Sequence, residues 1–282
     1  MPADNSLYES LEDWWDPTGA VAGLHAMNPA RSRYVLDVLR IRLGPPSREL
    51  ALLDVGCGGG LLVEPLLRAG WRVIGVDAAL GALRRASTHG REQGLATLYV
   101  AALAEKLPFA DRSFAAVVSS DFLEHVSDLP SVVLESARVL APGGVFVFDT
   151  INRTWLTRLF HIGVIQKWKK LVPPDTHDWR QFIRPDELER ALRAAGLDLV
   201  EMRGLGPVHP IRFGLHVLFR RAGLRPMPAF HVSSSLAGSY LGYAVKATSR
   251  VTTSRPRSPE RGGRGDLLQN SPSARYRRGS RR

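Results

Sequence analysis

The chain has 282 residues, 44% of them hydrophobic, a formal net charge of +11 and a single cysteine. That is enough apolar material for a sizeable core, in one or two domains. One cysteine excludes an internal disulfide, and no run reaches the roughly 18–20 apolar residues that a membrane span needs. The charge is uneven: ten arginines fall between Thr248 and Arg282, against only Glu260 and Asp266. This stretch is rich in Ser, Pro and Gly, so it buries too little apolar surface to offset chain entropy. We expect a folded domain over residues 1–249 and a disordered Arg-rich tail over 250–282. The tail reads either as an incidental extension or as an electrostatic contact for anionic lipid or nucleic acid. Met1–Asp16 is acidic and aromatic, unlike a signal peptide, and suggests a cytoplasmic protein.

In chain order, Ser6–Glu12 reads as a helix, with Ser6 and Glu9 at capping-box spacing. A second helix is expected over Val35–Arg42. Between them lie Trp14-Trp15-Asp16-Pro17 and Leu24–Arg31. Two adjacent tryptophans are costly to leave in water, so they either staple the core or close over a pocket. Pro45-Pro46 breaks the chain. Leu50–Val55 reads as a buried strand, followed by glycines at 56, 58, 59 and 60 and a helical pattern from Leu61. Trp71–Val76 is a second strand, Leu80–Glu92 a helix and Leu98–Ala101 a third strand. Phe114–Ser119 is a fourth strand, Leu129–Leu140 a helix and Gly144–Asp149 a fifth strand, started by a turn at Pro142-Gly143-Gly144. Pro185–Ala195 is helical, with strands at Leu197–Met202 and Ser239–Lys246. Strands alternating with helices of this length predict an α/β fold with a doubly wound, mostly parallel sheet. An insertion follows strand five. Ile151–Pro174 holds no acid but carries Arg153, Arg158, Lys167, Lys169 and Lys170 among apolar residues that include Trp155 and Trp168. It suits either a lid helix packed on the domain or an amphipathic helix lying in a membrane interface.

Strand, glycine turn and helix describe a nucleotide-type site at the carboxyl end of a parallel strand. A dinucleotide fingerprint starting at Gly56 would need its third glycine at 61, which is Leu61. The pattern present is Asp54-x-Gly56-x-Gly58-x-Gly60. It resembles the first motif of class I S-adenosylmethionine-dependent methyltransferases, which are Rossmann-like. Asp77, at the end of the second strand, suits the two hydroxyls of a ribose. Cys57, inside the loop, has no evident base beside it and reads as a packing residue.

More particular motifs occur in order: Trp14-Trp15-Asp16, Leu24-His25-x-x-Asn28-Pro29-x-Arg31, Leu123-Glu124-His125-Val126, Asn152-Arg153, and Thr176-His177-Asp178 followed by Phe182-Ile183-x-Pro185. From about Trp14 to about Lys246 the chain resembles the ubiquinone-biosynthesis O-methyltransferases, which methylate polyprenyl catechols and quinols. Val208–Val232 and the tail are less alike. The resemblance implies cofactor contacts at Arg31, Gly56, Asp77 and Ser120, the last through its backbone because relatives carry Met there. It implies a divalent cation such as Mg²⁺ at Asp121, Glu124 and His125, although Asp121 stands where Glu is usual. It also implies a hydrophobic acceptor and peripheral contact with an anionic membrane through residues 151–174.

A phenol with a pKa near 10 is mostly protonated at neutral pH and needs activation. Three roles are open for the Asp121, Glu124 and His125 set. His125 acts as a general base with Glu124 beside it; a cation held by all three lowers the acceptor's pKa; or the residues only build the site wall. His177-Asp178 is a second candidate pair. Other acceptors, such as a polyketide phenol or a lipid, stay open. Nucleic acid is disfavoured as a substrate, because Ser119-Ser120-Asp121-Phe122 stands where amino methyltransferases of related fold carry Asn/Asp-Pro-Pro-Tyr/Phe.

Overall fold

A computed structural model describes residues 6–95, 97–168, 178–219 and 227–248. The Arg-rich tail, His177 and Lys169–Pro174 lie outside the described residues. The eight strands are β1 (Ala51–Val55), β2 (Arg72–Asp77), β3 (Leu98–Ala101), β4 (Phe114–Ser120), β5 (Leu140–Ile151), β6 (Leu197–Pro207), β7 (Phe230–Ser233) and β8 (Ser239–Lys246). They form one sheet in the order β3-β2-β1-β4-β5-β8-β6-β7. The first five are parallel, and β8 runs antiparallel to both β5 and β6. The order reverses between β1 and β4, which opens a crevice beyond their carboxyl ends.

Both faces of the sheet are covered, as a parallel sheet requires. Strand side chains alternate between the faces. Leu53, Val55, Val117, Phe146 and Phe148 point to one core, with helices α5 (Leu129–Val139) and α7 (Pro185–Ala194). Leu52, Val73, Ala116, Val118, Val145 and Val147 point to the other. That second core is closed by α2 (Ala22–Leu43), α3 (Val63–Arg68) and α4 (Leu80–Glu92). A third, smaller cluster joins Leu11 and Trp14 to Leu61, Ala79 and Ala82. It docks the N-terminal segment, with α1 (Ser6–Ser10), onto the edge of the crevice.

Several expected boundaries move. The second helix begins at Ala22 and runs through Pro29. A proline costs one backbone hydrogen bond there, and the helix is held by packing on the second core. β5 starts at Leu140, so the Pro142-Gly143-Gly144 turn lies inside the strand as an irregularity in its pairing with β4. β6 extends to Pro207. Two elements had no expectation: α8 (Pro210–Phe219) and β7. After β5 the chain turns through α6 (Trp155–Thr157) directly into a π-helical stretch, Arg158–Trp168. Among the described residues no helix is long and apolar enough to cross a membrane.

Candidate active site

β1 delivers Asp54 to the crevice, and the chain then turns sharply. Gly56 has φ +76° and Gly58 φ +50°, conformations glycine adopts without strain. Space matters as much as φ. A Cβ on Gly56 would lie 2.1 Å from the Phe122 ring, and one on Gly58 would lie 2.6 Å from Trp14. Asp77 fixes the turn from β2: its carboxylate accepts the backbone N–H of Gly58 (2.8 Å) and of Ala79 (2.8 Å). Gly60 does not line the cavity. It closes the turn into α3, with its N–H on the Cys57 carbonyl at 2.9 Å. Burial pushes the Cys57 thiol well up, which fits a packing residue and not a nucleophile.

The crevice is one continuous cavity of about 1210 Å³. That exceeds the roughly 300–1,000 Å³ of a site for one small ligand. Its polar end holds Arg31, Asp54, Gly56, Gly58, Asp77 and Ser120; its apolar end holds Leu156, Phe160, Leu205, Phe213, Met227 and Phe230. Asp121 and His125 belong to the same cavity. The apolar end is built by the insertion together with α8 and β7, since Phe160 meets Phe213 at 5.6 Å and Phe213 meets Phe230 at 5.4 Å. The insertion is thus a wall of the pocket, while Trp155 and Leu159 on it, and Ile211 and Leu215 on α8, remain exposed.

The N-terminal segment covers the polar end. Trp14 is buried against Gly58 and Gly59, and its carbonyl accepts from His25 Nε2 at 2.8 Å. Trp15 stacks on His89 at 3.6 Å, and His89 Nδ1 lies 2.6 Å from the buried Glu64 carboxylate. Glu9 accepts the Gly81 N–H at 3.0 Å. Of the two expectations for the tryptophans, Trp14 closes over the pocket and Trp15 staples the cover down. Trp14→Ala is expected to weaken binding of the expected S-adenosylmethionine about tenfold or more, because a buried aromatic contact is removed. Calorimetric titration reads the change, and an unaltered affinity would refute the covering role.

Arg31 is buried at the centre. Its Nη2 lies 2.6 Å from Asp121 Oδ1 and 2.8 Å from Asp149 Oδ1. Burial disfavours its charge, but the two carboxylates outweigh that and hold it protonated. Asp149 also accepts from Ser120 Oγ. Asp149 was not singled out from sequence. The available signal was an acid at the carboxyl end of a parallel strand, the same signal that marked Asp77.

The expected metal set is not brought together. Asp121 is left-handed (φ +51°) and turns to Arg31. The following turn is a single 3₁₀ turn, Leu123–His125, so the three side chains do not share a helix face. Glu124 is buried outside the cavity and accepts from Thr150 Oγ1 at 2.7 Å. Burial and then Asp121's charge push its pKa well up. It therefore does not sit where a catalytic partner of the acceptor would. His125 faces the cavity and shares a 3.4 Å hydrogen bond with Tyr8 Oη. Among the described residues no three acids, histidines or cysteines form a group able to hold a metal, so these residues as arranged do not fit a divalent cation. Asp178 caps the short turn Trp179–Gln181 by accepting the Arg180 N–H at 2.9 Å, a loop-packing role; its expected partner His177 lies outside the described residues.

Several buried polar atoms at the polar end lack partners among the described residues. They are both carboxylate oxygens of Asp54 and the Nε of Arg31. An amino-acid nucleoside fits them: an ammonium for an acid, a carboxylate for a guanidinium, and a ribose for the remaining lone pairs of Asp77. Burial, then Asp77 and Asp149, push Asp54 up to about 8. Its folded pKa thus lies above the unfolded value near 3.9, so the folded chain binds the extra proton between those values. Stability of the ligand-free protein accordingly falls as pH rises from about 4 to 8. Asp54→Asn is expected to raise the ligand-free Tm at pH 8 and leave it nearly unchanged at pH 4. A thermal melt series shows this, and equal effects at both pH values would contradict it.

The sheet order, the glycine loop and the acid ending β2 define a class I S-adenosylmethionine-dependent methyltransferase. Residues 53–148 match the family model described as a methyltransferase domain. The chain is 39% identical over 209 residues to the ubiquinone biosynthesis O-methyltransferase of Caulobacter sp. (strain K31), covering 70% of this chain and 82% of that protein. It is 36% identical over 242 residues to the protein of the same name from Ruegeria pomeroyi, covering 80% and 96%. A putative methyltransferase structure from Bacillus halodurans shares the fold at TM-score 0.53 and 19% identity, covering 76% of this chain and 99% of that one. The chain belongs to the ubiquinone biosynthesis O-methyltransferase family and is an S-adenosylmethionine-dependent O-methyltransferase.

Proposed function

We propose that the acceptor is a hydrophobic phenol, catechol or quinol carrying an apolar tail, as the names of the relatives suggest. The observation that carries this is the single cavity with a polar end, an aromatic end and His125 on its wall. S-adenosylmethionine supplies an electrophilic sulfonium methyl. The chain's own residues hold and orient. Asp54 takes the ammonium, Arg31 Nε the carboxylate and Asp77 the ribose. Gly56 and Gly58 permit close backbone approach, and Ser120 contributes its backbone. Positioning for in-line transfer supplies much of the rate.

His125 takes the acceptor proton on Nε2 as the oxygen attacks. Burial, opposed by Asp121, pushes its pKa below the ordinary value, so the imidazole is neutral at pH 7 and able to accept. Tyr8 Oη, on the same nitrogen, marks where the acceptor hydroxyl would sit. The exposed Trp155, Leu159, Ile211 and Leu215 support a membrane rim beside the apolar end, where a lipid-soluble acceptor would arrive.

The test uses full-length protein, S-adenosylmethionine and a geranyl-substituted catechol, with methylated product read by mass spectrometry. Turnover that persists in EDTA is expected, as is co-sedimentation with anionic vesicles. Cofactor binding without transfer to the phenolic oxygen would overturn the acceptor, EDTA-sensitive turnover would restore the cation, and protein left in the supernatant would remove the membrane rim.

A further inference from the structure

Glu64 is a buried acid that the reaction above does not use. It stands on the first turn after the glycine loop, with its N–H on the Gly60 carbonyl at 3.2 Å. Burying a carboxylate is costly unless it is paired, and packing α3 against α4 does not by itself call for one. One Glu64 oxygen lies 2.6 Å from His89 Nδ1 and the other 3.6 Å from Arg68 Nη2. A carboxylate only accepts, so Nδ1 donates, and this bond sets the rotation of the imidazole. His89 thereby presents a fixed flat face. Trp15 lies on that face, with ring centroids 3.6 Å apart and planes 9° from parallel. Trp15 Nε1 is buried and has no hydrogen-bond partner among the described residues. The ring is therefore held by ring contacts, with His89 on its face and His25 edge-on at 6.3 Å. Its chain neighbour Trp14 is the residue that closes on Gly58 and Gly59. Trp14 lines the cavity, whereas Trp15, His89 and Glu64 stand behind it.

We infer that Glu64 and His89 are positioning residues for the cofactor: Glu64 orients His89, His89 seats Trp15, and Trp15 sets Trp14 over the glycine loop, so that this relay governs how long the cofactor is retained. This rests on the cofactor placement proposed above. Neither Glu64 nor His89 touches the ligand, so their effect falls on its release and not on the reacting atoms.

The experiment loads full-length protein with tritiated S-adenosylmethionine and follows the label kept after rapid mixing with excess unlabelled cofactor. No acceptor is present, so the outcome does not depend on the phenolic reading. His89→Ala is expected to speed release about 3- to 10-fold, because a stacked contact is lost. Glu64→Gln is expected to speed it about 2- to 5-fold, because a charge-assisted hydrogen bond becomes a neutral one. His89→Phe keeps a flat face for Trp15 and recovers part of the His89→Ala loss. Glu64→Gln added to His89→Phe changes nothing further, since the acid acts only through the imidazole. A thermal melt identifies a variant that fails to fold, and Glu64→Gln, isosteric with the native acid, then decides. An equal increment from Glu64→Gln in both backgrounds would mark a merely structural acid and overturn the relay. Unchanged release in His89→Ala and Glu64→Gln, with Trp14→Ala still releasing faster, would overturn the relay and leave the cofactor placement standing. Unchanged release in Trp14→Ala would remove the cover, and this inference with it.

Discussion

Arg31→Met is expected to lower the unfolding free energy by about 3–5 kcal/mol at pH 7 and to abolish detectable S-adenosylmethionine binding. Methionine keeps most of the apolar stem, so lost packing is not the main cause. What is lost is the cation between Asp121 and Asp149, whose carboxylates are themselves largely buried. Two acids left facing each other without a cation are far more costly than the intact trio. Protonation relieves the repulsion, and burial already pushes Asp149 up to about 6. Arg31 holds the Asp149 pKa down in the intact protein and its loss raises it, so the penalty should shrink as pH falls from 7 towards about 6 and level off below that. Asp149→Asn in the Arg31→Met background should recover part of the loss. Urea unfolding at pH 7 and pH 5 checks both statements. A loss under about 1 kcal/mol would mean that Arg31 serves the ligand and not the fold.

His125→Ala is expected to reduce kcat by about 10²- to 10⁴-fold, the usual contribution of a positioned general base. S-adenosylmethionine affinity should barely change. The wild-type pH profile carries a second signature. Burial lowers the His125 pKa from the ordinary value near 6.5, so the acid limb of kcat should fall below that value. Tyr8→Phe should leave that limb in place while altering KM, because the Tyr8 hydroxyl stands on the His125 nitrogen where the proposed acceptor's oxygen would bind. A kcat decrease of less than tenfold in His125→Ala would show that alignment of acceptor and methyl group suffices.

Much of this architecture was legible because it is local. β8 and α4 fall on the expected residues, and β1 with its glycine turn and Asp77 needed only a strand period and a glycine spacing. Leu24–Arg31 was not legible as helix. Pro29 argues against one, and the packing that outweighs it comes from distant residues such as Leu52 and Val145. Asp121, Glu124 and His125 were misplaced for a different reason. Their spacing faces one way only on an α-helix, whereas Asp121 has left-handed backbone and pairs with Arg31, ninety residues earlier. The acceptor end was the least legible. Phe160, Phe213 and Phe230 meet across long stretches of chain, and no periodicity within any one stretch announces the meeting.

The cover over the polar end is fastened by Trp15 on His89 and by Glu9 on Gly81. None of these fasteners is shared with Phe160, Phe213 or Phe230, which close the far end. On the acceptor and membrane rim proposed above, the two ligands would use separate doors, and spent cofactor would leave without disturbing the product's tail. Such an enzyme would need no compulsory order of addition and would complete several rounds beside its reservoir of substrate.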